Sequence, residues 1–174
     1  IPRFAEVARS AESIPTWVVA LGLRQKTKKS VDLFSGRHPL LARAICNSSK
    51  PGRSAGPFAE TWLLEANPQW SEVHQAFAPK QVGAELIKAF QSIMEEPLEI
   101  AALRTHRWLY ARHGSADSAD YLWCPKNRIG VCSDWLATST GSEGAWLSAN
   151  YLADKLLTSL KTVSINLQAY QDDE

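Results

Sequence analysis

The chain has 174 residues, enough for a domain with a hydrophobic core, and 45% of them are apolar, which is ordinary for a globular protein. Its formal net charge of +1 gives no electrostatic reason to expect binding to nucleic acid or to an anionic membrane surface. No apolar run reaches the roughly 20 residues that a membrane-spanning helix needs, so we predict no membrane span.

The first part of the chain predicts one short helix followed by strands. Apolar residues recur at helical spacing in residues 1–13, and Pro15 ends this helix. Residues 16–23 are apolar and rich in β-branched side chains, which predicts a buried strand. Further strands are predicted at residues 31–34, 40–47 and 60–66.

A turn between two of these strands brings polar groups together. Pro51 and Gly52 suit the central positions of a type II turn, because proline fixes φ and glycine accepts a positive φ. The turn therefore presents the cations of Lys50 and Arg53 and the amide of Asn47 at one tip. A solvated hairpin turn is the simpler interpretation of these residues, and contact with an anionic ligand is the alternative.

The middle of the chain predicts a helix between a connection and a long strand. Residues 67–77 form the connection, in which Ser71 is predicted to cap a short helical turn. Pro79 suits the first position of the helix, whose apolar stripe ends before Pro97. Residues 99–112 predict a long strand. It carries a polar and aromatic cluster made of Arg104, His106, Arg107 and Trp108.

The end of the chain predicts strands, a polar loop and a helix in succession. Strands are predicted at residues 121–123 and 128–132, and a helix begins near Glu143. Residues 168–174 are predicted to form a frayed polar tail. The predicted core stripe of the helix consists of Ala145, Ala149, Leu152, Ala153, Leu156, Leu157 and Leu160. Because strands outnumber helices without regular βα alternation, we predict an α+β fold.

The sequence contains no self-sufficient catalytic or metal-binding motif. The four histidines are scattered, and a Gly-x-Ser-x-Gly elbow and a Gly-x-Gly-x-x-Gly phosphate loop are both missing. The three cysteines match no zinc spacing. We therefore expect free thiols and a soluble protein in a reducing compartment, either the cytoplasm or an organelle such as the plastid stroma. A disulfide between Cys124 and Cys132 across a short hairpin stays open as an alternative.

The strongest chemical signal lies in the strand, loop and helix near the end. Asp134 follows a strand, where its carboxylate can accept hydrogen bonds from sugar-like hydroxyl groups. The helix from Glu143 offers free N–H groups and a positive dipole end, which stabilise negative charge such as that of a reduced flavin. Gly144 and Ala145 lack bulk, so a planar ring can approach this turn. A buried amphipathic helix is the simpler interpretation, and both hold if they use different parts of the helix.

Four segments of the chain resemble one family. Cys132 to Trp135 (CSDW), followed by Glu143 to Ser148 (EGAWLS), resembles the C-terminal Gly-Asp motif of the flavin amine oxidase superfamily. The resemblance is greatest to the renalase-like group of FAD-dependent oxidoreductases. Residues 15–17 (PTW), 47–53 (NSSKPGR) and 106–111 (HRWLYA) agree with the same group, in the same order.

The resemblance implies hydride transfer from a small reduced substrate to FAD, which oxygen reoxidises. It implies that residues 1–112 form a substrate-domain-like region, whose mostly antiparallel sheet roofs the flavin. Residues 113–174 then form the C-terminal return into the FAD-binding domain. The predicted contacts to FAD are Asp134, Trp135, Glu143, Gly144, Ala145 and Ser148. Charge adds Lys50, Arg53, His106 and Arg107 as candidate contacts to an anionic substrate or cofactor, and the amide of Asn47 at the same turn is added with them.

Departures from the family pattern keep other interpretations open. Ser133 and Ala149 stand where the family has glycine, and the dinucleotide-binding N-terminal half, which is NAD(P)-binding-like, is missing. The chain begins with Ile1 rather than methionine, so we expect a processed or partial chain of the enzyme. The alternatives are a non-catalytic scaffold or assembly subunit that lost FAD, and one half of a split flavoenzyme. A split enzyme predicts an exposed apolar face on residues 1–20 and 140–160.

Overall fold

Two units make up the chain. A computed structural model describes residues 1–113, 119–139 and 141–171, with residues 112, 113 and 161–171 described for the backbone only. Residues 14–112 form the sheet unit, and residues 1–13 together with 113–174 form the hairpin–helix unit. The predicted boundary after residue 112 coincides with one division, whereas the division after residue 13 was not predicted. That the two units serve as substrate domain and FAD-domain return stays a prediction.

A five-stranded sheet organises the sheet unit. Its strands are β1 (Ser13–Leu23), β2 (Leu33–Ser35), β3 (Leu41–Cys46), β4 (Glu60–Ala66) and β5 (Ile100–His113). They lie in the order β2-β3-β4-β1-β5, and the pairs β1–β4, β2–β3 and β3–β4 are antiparallel. The predicted α+β fold with a mostly antiparallel sheet is therefore confirmed.

Helix α3 (Pro79–Met94) covers one face of this sheet. Successive strand residues point to opposite faces, so the odd-numbered residues of β1, from Trp17 to Leu23, share one face and are at most 3% exposed. The helix packs its predicted apolar stripe against them, with Leu86 and Phe90 fully buried. The ring centroids of Trp62 on β4 and Phe90 lie 4.8 Å apart. Burying each such side chain stabilises the fold by roughly 1.5–3 kcal/mol.

The opposite face of the sheet, which we call the uncovered face, is lined by strands and one loop. The second helix of the sheet unit, α2 (Pro68–Val73), also packs on the α3 side, where the indole N–H of Trp17 donates to the carbonyl of His74 at 3.1 Å. On the uncovered face Ala20 is exposed. The ring of Phe58 lies against Gly22 so closely that a Cβ there would come within 2.7 Å of it. This face is therefore the part of the sheet that remains accessible within the unit.

The start of α2 differs from the prediction. Asn67 rather than Ser71 caps the helix, since its side-chain oxygen accepts the N–H of Gln69 at 3.1 Å. Ser71 lies inside the helix, fully buried, and its hydroxyl accepts the backbone N–H of Trp17 at 3.2 Å. Asparagine is as good a cap as serine, and the proline at residue 68 marks the first helical position.

The hairpin–helix unit contains two helices and one hairpin. Its elements are α1 (Pro2–Ser10), β6 (Leu122–Cys124), β7 (Ile129–Val131) and α4 (Gly141–Gln171). The hairpin packs on α4 at Gly130, where a Cβ would come within 2.8 Å of the Leu152 side chain. Because α4 continues to Gln171, residues 168–171 are helical, not a frayed tail, and residues 172–174 lie outside the described residues.

The register of the hairpin separates two of the cysteines. Cys124 pairs with Ile129, and Leu122 at the other end pairs with Val131. Cys132 follows Val131 and therefore does not lie opposite Cys124. The cysteines are free, so the open alternative of a disulfide across the hairpin is not realised.

Helix α4 buries a narrower face than predicted. Gly144, Ser148 and Leu152, each four residues from the next, are its buried residues among those whose side chains are described. Four members of the predicted core stripe are exposed instead: Ala149, Ala153, Leu157 and Leu160. Contact with the loop and hairpin sets the rotation of the helix, and the apolar pattern alone did not reveal it. No helix among the described residues combines the length and apolar character needed to cross a membrane.

We expect Leu86→Ala to lower the free energy of unfolding of the sheet unit by about 2–5 kcal/mol, because it leaves a cavity in the core. Chemical denaturation measures this loss. Lys88→Ala, at an exposed position of the same helix, is the control and should change stability by less than about 0.5 kcal/mol. Equal losses in the two variants would contradict the assignment of this core.

Candidate functional site

The loop between β7 and α4, residues 132–139, is held by Ser148. The Ser148 hydroxyl accepts the backbone N–H of Ser133 at 3.0 Å and donates to the carbonyl of Asp120. Ser148 is fully buried, and both hydrogen bonds span long stretches of sequence. One side chain therefore ties α4, the loop and the segment before β6 together. This structural role uses the hydroxyl that the sequence suggested as a contact to FAD.

Gly144 also packs against another part of the same chain. It is buried, and a Cβ at this position would overlap the carbonyl of Ser139. The close approach that the small residue predicted is therefore present, and the group that approaches is the backbone of the preceding loop. Within the hairpin–helix unit, Gly144 and Ser148 position the loop.

Asp134 keeps a group that a ligand can use. The carboxylate is half-buried, and the Ser133 hydroxyl donates to its Oδ1 at 3.0 Å. No other described residue hydrogen-bonds to the Asp134 side chain, so its second oxygen can accept a hydrogen bond from a ligand. The backbone N–H of Leu136 donates to the carbonyl of Ser133 at 3.2 Å, and Leu136 is buried, which anchors the loop beyond Asp134. Ser133, where the family has glycine, therefore orients the carboxylate.

The other predicted FAD contacts surround Asp134 in the sequence and differ in exposure. Trp135 and Ala145 are half-buried, and Glu143 in the first turn of α4 is exposed. Together with Asp134 they leave four side chains that could touch one end of a flavin nucleotide. The residues present therefore fit FAD in part, with two of the six predicted contacts already engaged inside the protein.

In the sheet unit, the predicted turn is present. Gly52 has a φ of +71°, and the N–H of Arg53 donates to the carbonyl of Lys50 at 3.1 Å. Residues 47–49 form a short 3₁₀ turn, which the Ser48 hydroxyl ties to β4 by accepting the N–H of Thr61 at 3.1 Å. Lys50 and Arg53 are exposed, and neither makes an ion pair with a described residue. Their exposure agrees with the solvated-turn interpretation.

Strand β5 separates two cations that the sequence places side by side. Arg107 lies on the α3 face, where its guanidinium sits 5.4 Å from the centroid of the Trp17 ring and donates to the carbonyl of Gln75. His106 points to the opposite face, with its ring 4.7 Å from that of Trp108 in an edge-to-face arrangement. Arg107 therefore packs against the core, and the structure does not bring it together with His106; that either residue contacts an anionic ligand stays a prediction.

A cavity of about 380 Å³ lies on the uncovered face of the sheet unit. Its walls are mainly apolar, with polar side chains from Asn47, Thr61 and Arg104. The Thr61 hydroxyl is buried and has no hydrogen-bond partner among the described residues. The lining residues are Ala20, Leu21, Gly22, Asn47, Phe58, Thr61, Trp62, Leu63, Ala102, Leu103 and Arg104.

Of the five substrate contacts predicted from charge, Asn47 alone lines this cavity. Sequence reasoning had noted Arg104 within the basic cluster and had not selected it. The signal that would have found it is the alternation of β5, since residues 104, 106 and 108 share one face and Arg107 lies on the other. No group of three or more potential metal ligands occurs among the described residues.

No protein-family model matches the chain. In structure it is similar to the crystal structure of a putative protoporphyrinogen oxidase from Exiguobacterium sp. 255-15, with a TM-score of 0.56 and 13% sequence identity. The match covers 69% of this chain and 30% of that protein's chain. At this identity the likeness shows a shared fold. This chain therefore corresponds in fold to about a third of that protein's length.

We expect Ser148→Ala to destabilise the hairpin–helix unit by about 1–3 kcal/mol, because it leaves a half-buried N–H and a half-buried carbonyl without their partner. Hydrogen exchange of the Ser133 amide should accelerate. Ser142→Ala, at an exposed position in the same helix, serves as the control. An unchanged exchange rate at Ser133 would show that Ser148 does not hold the loop.

Proposed function

We propose that this chain is the substrate-domain portion, with the C-terminal return into the FAD domain, of a renalase-like FAD-dependent oxidoreductase. The single observation that carries the proposal is the apolar cavity on the uncovered face of a sheet whose fold resembles that of an oxidase. The renalase-like motifs at residues 15–17, 47–53, 106–111 and 132–148 support it independently. An oxidase needs an electron acceptor that side chains do not supply, which favours a flavin.

On this proposal, FAD accepts the hydride from a small reduced substrate. The contribution of this chain is to bind and orient. Asp134 accepts a hydrogen bond from the ribityl chain through its second carboxylate oxygen, with Ser133 holding the first. Trp135, Glu143 and Ala145 flank the same end of the cofactor. Ser148 and Gly144 contribute indirectly, because they hold the loop that carries Asp134.

The other end of FAD needs a dinucleotide-binding half, because this sequence has no Gly-x-Gly-x-x-Gly loop. On the proposal, that half comes either from a further part of the same protein or from a second chain. The chain spans 30% of the structurally similar oxidase, which leaves room for such a half in a protein of that size.

A partner chain is favoured by the exposed apolar surface of α4. Trp146 is 65% exposed and Leu160 is 63% exposed, and Leu157 and Tyr151 are also largely exposed. These side chains support the split-enzyme alternative, which expects exposed apolar surface at residues 140–160 and also at residues 1–20, where Trp17 and Val19 are buried instead. The second candidate is therefore a subunit that docks on a protein partner, either one half of a split flavoenzyme or a scaffold or assembly subunit without FAD.

We expect the full-length protein to purify with the visible absorbance of an oxidised flavin and to release FAD on denaturation. Asp134→Ala should weaken FAD retention about tenfold, because a hydrogen bond to a charged group is lost. Asp154→Ala, which removes an exposed carboxylate of α4, is the matched control and should retain FAD as the unmodified protein does.

Two results would count against the enzyme. A colourless full-length protein that does not take up added FAD would exclude it. If that colourless protein also co-purifies with a large complex, the scaffold alternative would replace it. Flavin that appears only after a second chain is co-expressed would identify the split enzyme.

A further inference from the structure

The cavity on the uncovered face combines apolar walls with polar groups that have no partner. We propose that it binds a planar apolar molecule that carries one anionic group, with the anion held by Arg104 and a polar atom held by Thr61. Identifying this ligand as the substrate rests on the proposed function, whereas the binding site itself rests on the geometry of the sheet unit.

The apolar part of the cavity is lined by one aromatic ring and by small side chains. The ring of Phe58 lies against the backbone of Gly22, and this contact requires glycine because a Cβ would come within 2.7 Å of the ring. Ala20 and Ala102 flank the space with small side chains. A volume of about 380 Å³ lies at the lower end of small-molecule sites. A lining made of one aromatic ring and small side chains favours a planar molecule that stacks along Phe58 and the sheet.

One polar group inside the cavity lacks a partner. The hydroxyl of Thr61 is buried and unpaired among the described residues, although its own backbone N–H is engaged by Ser48. Buried polar atoms normally have a hydrogen-bond partner, so an unpaired one that lines a cavity points to a ligand atom. The Asn47 side chain lines the same wall and can donate or accept a second hydrogen bond.

The charge of this face is concentrated at Arg104. The neighbouring cation on the face, Arg43, is neutralised by Glu65, with Nε 2.8 Å from a carboxylate oxygen. Arg104 makes no ion pair or hydrogen bond with a described residue. Its planar guanidinium matches the two oxygens of a carboxylate or phosphate.

Arg104 also borders a second cavity of about 400 Å³, where His106 and Trp108 form the remaining polar and aromatic lining. Leu63 and Arg104 line both cavities, so Arg104 lies where the two adjoin. The anionic group therefore lies at their junction, with the apolar body directed toward Phe58. The exposed cations of the turn, Lys50 and Arg53, line neither cavity.

Binding of naphthoate and of its neutral analogue naphthamide tests the proposal. The probes are titrated into the full-length protein and followed by the amide chemical shifts of β1, β4 and β5. We expect saturable binding of naphthoate and about tenfold weaker binding of naphthamide, because a charge-assisted hydrogen-bond pair is lost. No saturable binding, or equal affinities for the two probes, would overturn the proposal.

Three variants assign the contacts. Arg104→Gln should reduce naphthoate affinity about tenfold and leave naphthamide unchanged. Arg53→Gln, which removes an exposed cation that lines neither cavity, is the control and should leave both unchanged. Ala20→Trp, at an exposed position, fills the cavity and should abolish binding of both probes. Naphthoate binding that survives both Arg104→Gln and Ala20→Trp would place the ligand elsewhere and overturn the proposal.

Flavin absorbance of the same preparation separates this inference from the proposed function. A protein that binds naphthoate through Arg104, carries no flavin and takes up no added FAD confirms the binding site and overturns the oxidoreductase. A protein that carries flavin and does not distinguish naphthoate from naphthamide overturns the anionic ligand and leaves the oxidoreductase standing.

Discussion

The packing of α3 against one face of β1 and β4 is the interaction on which the sheet unit depends. Strand residues alternate between faces, so burying Trp17 and Trp62 on the α3 side commits their neighbours Val18 and Leu63 to the other. One face of the sheet stays uncovered because α3 packs against the other face. The cavity beside Gly22 lies on this uncovered face, where no helix packs. A loop residue, Phe58, covers part of the face instead.

The same alternation gives chemically identical side chains different roles. Arg107 is used within the core, between the Trp17 ring and the carbonyl of Gln75. Arg104, three residues earlier and on the other face, lines the cavity and makes no ion pair or hydrogen bond with a described residue. The alternation of side chains along β5 therefore gives the two arginines of the basic cluster different roles. Arg107 stabilises the core, and Arg104 stays available on the other face.

In the hairpin–helix unit, two small residues make their contacts within the fold. Gly144 accommodates the carbonyl of Ser139, and Ser148 links Ser133 to Asp120. Both contacts hold the loop in which Asp134 presents its half-buried carboxylate. The likeness to a putative protoporphyrinogen oxidase, at 13% identity, shows a shared fold.

The sequence by itself determined the order and type of the elements, because helical and strand periodicity are local properties. It located β4 and the start of α3 to the residue, and the turn at Gly52 followed from the chemistry of proline and glycine. It also predicted the α+β class, which the structure confirms, whereas the role of Asp134 as a cofactor contact stays a prediction.

Tertiary structure decided which face each element buries. The rotation of α4 depended on contacts with a loop that precedes it, and the division of Arg104 from Arg107 depended on where α3 docks. The buried role of Ser71 likewise needed its distant partner Trp17. These outcomes rest on contacts between residues far apart in the chain, which a local pattern does not encode.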